Sequence, residues 1–263
     1  MNIIALLGCL VWLFSFPILK FVNADFSTRF SLSATTLKFI GIVSMTIDHI
    51  GYFLFPRIVA FRVIGRIAYP IFAYFIAEGC TYTRHKMRYF FSVFSIGVLY
   101  SVGAYLVNGS LRQSVLITFS CSIALIFLLA QFRVSDKKHL VAKLSWLFSF
   151  FILFILCFLL FQVHIISRFK TDYGFWGIIT PVLVWSGCGK IQKLMGLSIG
   201  LVIICKVMVN IQLFSLLSLL LLAMYNGERG RKSWKPLFYI YYPAHIAVLY
   251  CISVLIDNGR SSL

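Results

Sequence analysis

Charge is scarce in this chain. Only 12% of its 263 residues are Asp, Glu, Lys or Arg, with acids numbering 7, where an ordinary soluble domain carries ~25% charged residues. That leaves too little polar surface for a soluble enzyme and too little charge for a disordered segment. No internal repeat, heptad pattern or low-complexity stretch divides the chain, so residues 1–263 read as a single domain. No CxxC occurs, and the seven cysteines, Cys9, Cys80, Cys121, Cys157, Cys188, Cys205 and Cys251, are scattered and mostly inside apolar runs. Neither a disulfide framework nor a zinc site is indicated, and no metal is expected. GxxxxGK[ST] and GxGxxG are absent too, which removes the usual nucleotide-binding loops.

What is abundant is apolar. Hydrophobic residues make up 61% of the chain, Phe alone contributes 27, and the mean hydropathy is +0.95. A helix needs ~20 apolar residues to cross ~30 Å of hydrocarbon. Runs of that kind fall at 2–22, 35–55, 63–82, 89–107, 113–132, 141–163, 174–189, 194–209, 211–226 and 237–256. The expected fold is an all-α, polytopic membrane bundle of about ten helices, within a range of nine to eleven. Gly187, Gly189, Gly196, Gly200 and Lys206 interrupt the seventh to ninth runs, which can therefore be short, broken or re-entrant. The first run lacks a positive amino-terminal flank, and its first charge, Lys20, comes at the far end. It is read as a retained helix rather than a signal peptide.

The net charge of +17 is explained by topology and the lipid bilayer, not by nucleic acid. Alternate loops hold fifteen basic residues on one side, including Arg84, Lys86, Arg88, Arg229, Arg231 and Lys232. The other side holds six: Arg57, Arg62, Arg112, Arg168, Lys170 and Arg260. The basic side is expected in the cytoplasm, with both termini outside.

Ionisable groups inside apolar spans are costly and mark where chemistry can sit. Asp48 and Glu78 are the acids within such runs, and His49 and His245 the deep histidines. Lys38 and His49 are eleven residues apart, hence on one helix face and ~16 Å apart along the axis. Asp48 points ~100° away from His49. A hairpin turning near Arg57 brings Arg66 level with Asp48, and an Asp48–Arg66 pair offsets the cost of burying either. Asp48, Arg62 and Arg66 either lock that hairpin or build a polar site. His49 has a plain alternative as a helix-packing hydrogen bond. Glu78 has one as an end-of-helix salt bridge to Arg84, Lys86 or Arg88. Tyr242 and His245 have one as partners of backbone freed by Pro243. The polar turn Tyr225-Asn226-Gly227-Glu228-Arg229-Gly230 either cradles phosphate or merely carries topogenic charge.

The runs LKFIGIVSMTIDHIG (37–51) and FRVIGRIAYPIFAYFIAEG (61–79), with Thr83, closely resemble the TraX family of conjugal-transfer membrane proteins. DYGFWGI (172–178), YNGERG (225–230) and FYIYYPAH (238–245) continue the resemblance in the family's order, over about 35–252. The helix at 2–22 looks like an addition. Two stretches depart from the family pattern, Tyr100–Tyr105 and Ser114–Phe119, which lack the family's Ser-Glu and its Asn-Val-Phe-Phe-Thr-Leu.

The resemblance implies a membrane-embedded acyltransferase of the bacterial inner membrane. The founding member is known as an acetylase of the pilin amino terminus. The family is grouped with transmembrane acyltransferases in which a basic residue and a histidine, with ten residues between them, mark an early helix, a spacing that Lys38 and His49 match. Acetyl-CoA is then the expected donor, and a pilin amino terminus or a cell-surface glycan the expected acceptor. His49 is the expected base or acyl carrier, with Asp48 and Arg66 completing the catalytic group. Lys38, Arg84, Lys86, Arg229 and Arg231 are expected at the acyl-CoA, because its phosphates need cations. Arg62, Glu78, Asp172, Tyr173, Asn226, Tyr242 and His245 are expected to position substrate, and Arg62 or Arg66 to face a developing oxyanion. The rival reading is a transporter or assembly scaffold that uses the same buried charges without acyl transfer.

Overall fold

A computed structural model describes residues 31–109, 113–135, 140–163, 165, 171–208, 210–230 and 235–261. The expected helix at 2–22 and Arg231 lie outside these. The described residues are all-α, with no strand among them beyond two isolated bridges. The order is α1 (Ala34–Phe53), α2 (Val59–Gly65), α3 (Ala68–Tyr82), α4 (Lys86–Asn108), α5 (Val115–Val134) and α6 (Leu140–Phe161). Then come α7 (Gly174–Ser186), α8 (Lys190–Met208), a 3-10 segment (Asn210–Leu217), α9 (Ser218–Ala223) and α10 (Lys235–Ser261). Five stretches are long and apolar enough to cross a membrane: Val59–Tyr82, Lys86–Val107, Val115–Val134, Leu140–Phe161 and Lys190–Met208. With the shorter apolar helices they make this a multi-pass membrane protein.

One expected span is not a regular helix. Where 211–226 was expected to cross, the chain forms the 3-10 segment followed by the six residues of α9. At the junction of the two, the Ser218 hydroxyl donates to the Ser215 carbonyl at 2.6 Å. The seventh span is also short, at 13 residues, or ~20 Å of rise. The eighth starts earlier than expected, at Lys190, and reaches full span length.

The chain divides into two compact units, one of residues up to Phe72 plus Cys205 onward, the other Ala73–Ile204. In the first, α1 packs on α2 and α10, and the 3-10 segment packs on α2. The start of α1 is held by the distant 225–230 turn. Ala34 N–H donates to the Glu228 carbonyl at 2.8 Å, and Thr35 donates to the Arg229 carbonyl from both its N–H and its hydroxyl. Ser33 Oγ accepts from Thr36 N–H. These bonds occupy helix-terminal donors that would otherwise need water or an anion. At α2, a Cβ on Gly65 would stand 2.1 Å from Asp48 Oδ1, so the bare backbone is what lets Asp48 lie against this helix.

In the second unit α5 is central, packing on α4, α6 and α7. Helix α8 buries Leu194, Leu197, Leu201 and Ile204, the helical spacing of one face. Gly196 and Gly200, one turn apart, meet α7 so closely that a Cβ would reach the Leu183 carbonyl oxygen at 2.4 Å and Thr180 Oγ1 at 2.5 Å. Small residues at that spacing let membrane helices approach, where lipid offers no hydrophobic drive to do it. By contrast α4 and α6 leave Leu99, Leu106, Phe148, Phe151 and Ile155 exposed. In a bilayer those side chains are in their own solvent.

Candidate functional site

The first unit gathers its polar side chains around α1. Asp48 bridges two arginines: its Oδ2 accepts from Arg62 Nη1 at 2.7 Å and its Oδ1 from Arg66 Nη2 at 2.6 Å. The expected Asp48–Arg66 pair is therefore present, with Arg62 added to it. Arg66 Nε also donates to the Arg62 carbonyl and Nη1 to Gln212 Oε1 at 3.3 Å. Arg62 lies over the Tyr52 ring, 5.4 Å from its centroid. Paired charges on one carboxylate reduce the cost of keeping them out of water, and removing one partner would strand the others.

His49 turns to a different partner. Its Nδ1 lies 2.9 Å from the Met45 carbonyl one turn back and 3.2 Å from His245 Nε2 on α10. His245 Nδ1 lies 2.7 Å from the Tyr241 carbonyl. Carbonyl oxygens only accept, so in the neutral pair each Nδ1 carries the hydrogen. His245 Nε2 is then a lone pair facing His49 Nδ1–H, and His49 keeps its own Nε2 lone pair for something else. Tyr241 stacks on His245 with centroids 4.9 Å apart, while its hydroxyl meets Thr46 Oγ1 at 2.6 Å. The result is a histidine whose tautomer is set by its own helix and whose ring is steadied by a second histidine, itself fixed by its own helix. Such an imidazole can take a proton or attack a carbonyl carbon.

Other expected residues fall elsewhere. Lys38 sits one turn into α1, near the 225–230 turn that caps this helix. Asn226 in that turn is already engaged: its amide donates to Ser31 Oγ and accepts from Glu228 N–H. Arg229 contributes its carbonyl to the cap and has an exposed side chain. Tyr242 is buried beside His245, with ring centroids 6.0 Å apart.

In the second unit Glu78 pairs with Lys193, not with the Arg84–Arg88 loop. Local charges on a helix meet at three or four residues' spacing, and that loop begins six positions on, after α3 has ended. Arg84 lies on the short α3–α4 connection, and Lys86 opens α4 with its ammonium over the Phe127 ring. Asp172 and Tyr173 immediately precede α7. Residues overlooked in the sequence are Thr46, Tyr241, Gln212 and Lys193, all reached only through long-range contacts. Among the described residues no cluster of His, Cys, Asp and Glu is arranged to hold a metal.

Similarity to known proteins agrees with the motifs. A probable fimbrial assembly protein, FimC of serogroup H1, from Dichelobacter nodosus is 23% identical over 256 residues, covering 85% of this chain and 96% of that protein. The uncharacterized protein RP591 of Rickettsia prowazekii (strain Madrid E) is 51% identical over 39 residues, 15% of this chain and 16% of that protein. No solved structure matches the chain. The family model described as TraX protein matches residues 33–253, a range that holds α1, the Asp48 cluster and both histidines, and on that match the chain belongs to the TraX family.

Proposed function

We propose that this protein is a membrane acyltransferase that moves acetyl from cytoplasmic acetyl-CoA to an amine or hydroxyl of an acceptor at the outer side of the membrane. The observation that carries the reading is the His49–His245 pair, 3.2 Å between Nδ1 and Nε2. It leaves one imidazole nitrogen with a lone pair and a fixed direction on α1, in a chain of this family. As the acceptor heteroatom attacks the thioester carbon, His49 Nε2 takes its proton. The C–S bond then breaks, its electron pair goes to sulfur, and the proton passes from His49 to the leaving thiolate. Arg62, the more exposed of the two arginines on Asp48, is the group suited to face the transient oxyanion. Lys38 and Arg229, at the opposite end of α1, supply cations for the donor's phosphates. The name of the Dichelobacter relative supports an acceptor of the fimbrial kind.

The test is purified protein in detergent with labelled acetyl-CoA and candidate pilin peptides or glycans. Substituting His49→Ala should cut transfer ~10²–10⁴-fold, the usual contribution of a general base. Abundance and thermal midpoint should stay near wild type, since one intramembrane polar contact contributes ~1 kcal/mol. A well-folded His49→Ala protein with full activity would sink the mechanism. The transporter or scaffold reading, which the irregular Asn210–Leu217 segment favours, would then come first.

A further inference from the structure

Thr46 and His49 stand three residues apart on α1, and Tyr241 and His245 four apart on α10. At those spacings each pair shares one helix face. Two polar contacts therefore cross between these helices side by side, Thr46 to Tyr241 at 2.6 Å and His49 to His245 at 3.2 Å. The direction of the first follows from the hydrogens available. The Thr46 hydroxyl donates its single hydrogen to the Ile42 carbonyl at 2.8 Å, the back-bond that threonine makes within helices. The Tyr241 hydroxyl is therefore the donor to Thr46 Oγ1. From Tyr241 through Thr46 to the α1 backbone, each bond polarises the next.

The two contacts are unequal. His49 Nδ1–H is shared, its shorter arm reaching Met45 on the same helix and its longer arm His245 on the other. At 3.2 Å the longer arm lies at the far end of the usual range for an N–H donor, and a few tenths of an ångström more would end it. The Tyr241–Thr46 bond is the short contact that sets this spacing. Tyr241 also acts on His245 directly. Its carbonyl faces His245 Nδ1 at 2.7 Å, and its ring lies parallel to the imidazole, at 8° and 4.9 Å between centroids. A stacked ring resists rotation of the imidazole out of the plane in which Nε2 meets His49.

We propose that Tyr241 and Thr46 are positioning residues for His49: their hydrogen bond sets α10 against α1, and the Tyr241 ring fixes the plane of His245, so that the contact between the two imidazoles is kept. Neither residue touches the reacting atoms. Both act through His245, whose lone pair steadies the ring that presents Nε2. Only the kinetic consequence rests on the acyl-transfer reading, because the contact itself can be observed without turnover.

The test uses the full chain in detergent, with isotope-labelled histidine for magnetic resonance and labelled acetyl-CoA for kinetics. Accepting a hydrogen bond moves an unprotonated imidazole nitrogen upfield, so loss of the contact moves the His245 Nε2 resonance downfield. His245→Gln, which lacks that resonance, assigns it. Tyr241→Phe keeps the stacked ring and removes the hydroxyl, while Thr46→Val removes the acceptor at similar shape. Both should shift the resonance downfield and lower kcat about fivefold, the effect of one ordinary hydrogen bond, with KM for acetyl-CoA little changed. Thr46→Ser keeps a hydroxyl and should match wild type on both counts. If Tyr241→Phe does not fold, the two Thr46 variants decide the matter. A downfield shift in variants of a protein that transfers no acetyl would retire the enzyme reading and leave the brace standing. An unmoved resonance in folded Tyr241→Phe and Thr46→Val would overturn the proposal whatever their thermal midpoints. So would a shifted resonance with unchanged kcat in an active enzyme.

Discussion

At His49 the two ring nitrogens have been given different work. Nδ1 is occupied by the Met45 carbonyl and His245, and whatever chemistry the ring performs falls to Nε2. The Met45 carbonyl sets the tautomer, and His245, accepting from the same Nδ1–H, steadies the direction of the ring. Replacing His245 by Leu should lower kcat about tenfold, equivalent to ~1.4 kcal/mol of lost orientation, while leaving KM for acetyl-CoA nearly unchanged. His245→Gln keeps an acceptor near the same position and should restore most of the rate, a rescue that a purely packing role would not give. Steady-state kinetics on the three proteins read this directly. Asp48 and Arg66 could be paired from sequence because 18 residues of one hairpin separate them. His49 and His245 are 196 residues apart, and no periodicity within a span selects one histidine for the other. Gln212 was harder still, since an uncharged amide in an apolar run carries no signal of depth or partner.

Between elements, close approach is what makes the polar chemistry possible. Asp48 reaches both arginines because Gly65 presents no side chain to it. Gly65→Ala must push α2 off α1 or displace the carboxylate, at a cost of about 1–3 kcal/mol as for other overpacked sites. A fall in thermal midpoint together with loss of transfer is the expected result. Gly103→Ala provides the control, because a Cβ there meets nothing within 4 Å and helix propensity improves. Equal midpoints for the two variants would mean that α1 and α2 are not in this contact. The long helices α4, α5 and α6 were readable as spans because composition alone sets their length. The 3-10 segment was not, because hydropathy registers how apolar a run is and not which carbonyl each of its N–H groups meets.

For the molecule as a whole, the basic loops carry a prediction about sidedness. With fifteen basic residues on one set of loops and six on the other, single cysteines placed near Lys138 or Lys232 in a cysteine-free background should resist an impermeant thiol reagent in intact cells. Those placed near Arg112 or Asp172 should react. The opposite labelling pattern would invert the orientation and move the donor cations to the wrong face.

The first unit is drawn from both ends of the chain, with residues up to Phe72 joined by those from Cys205 onward. This imposes a waiting time on the ribosome. Asp48 finds Arg62 and Arg66 within one hairpin, but His245 emerges 196 residues after His49. At ~5–20 residues per second that delay is about 10–40 s. Throughout it, α1 holds an imidazole and an unfinished amino-terminal cap with neither partner yet made. Asp48 is thus paired by its hairpin neighbours long before the contact between His49 and His245 can form.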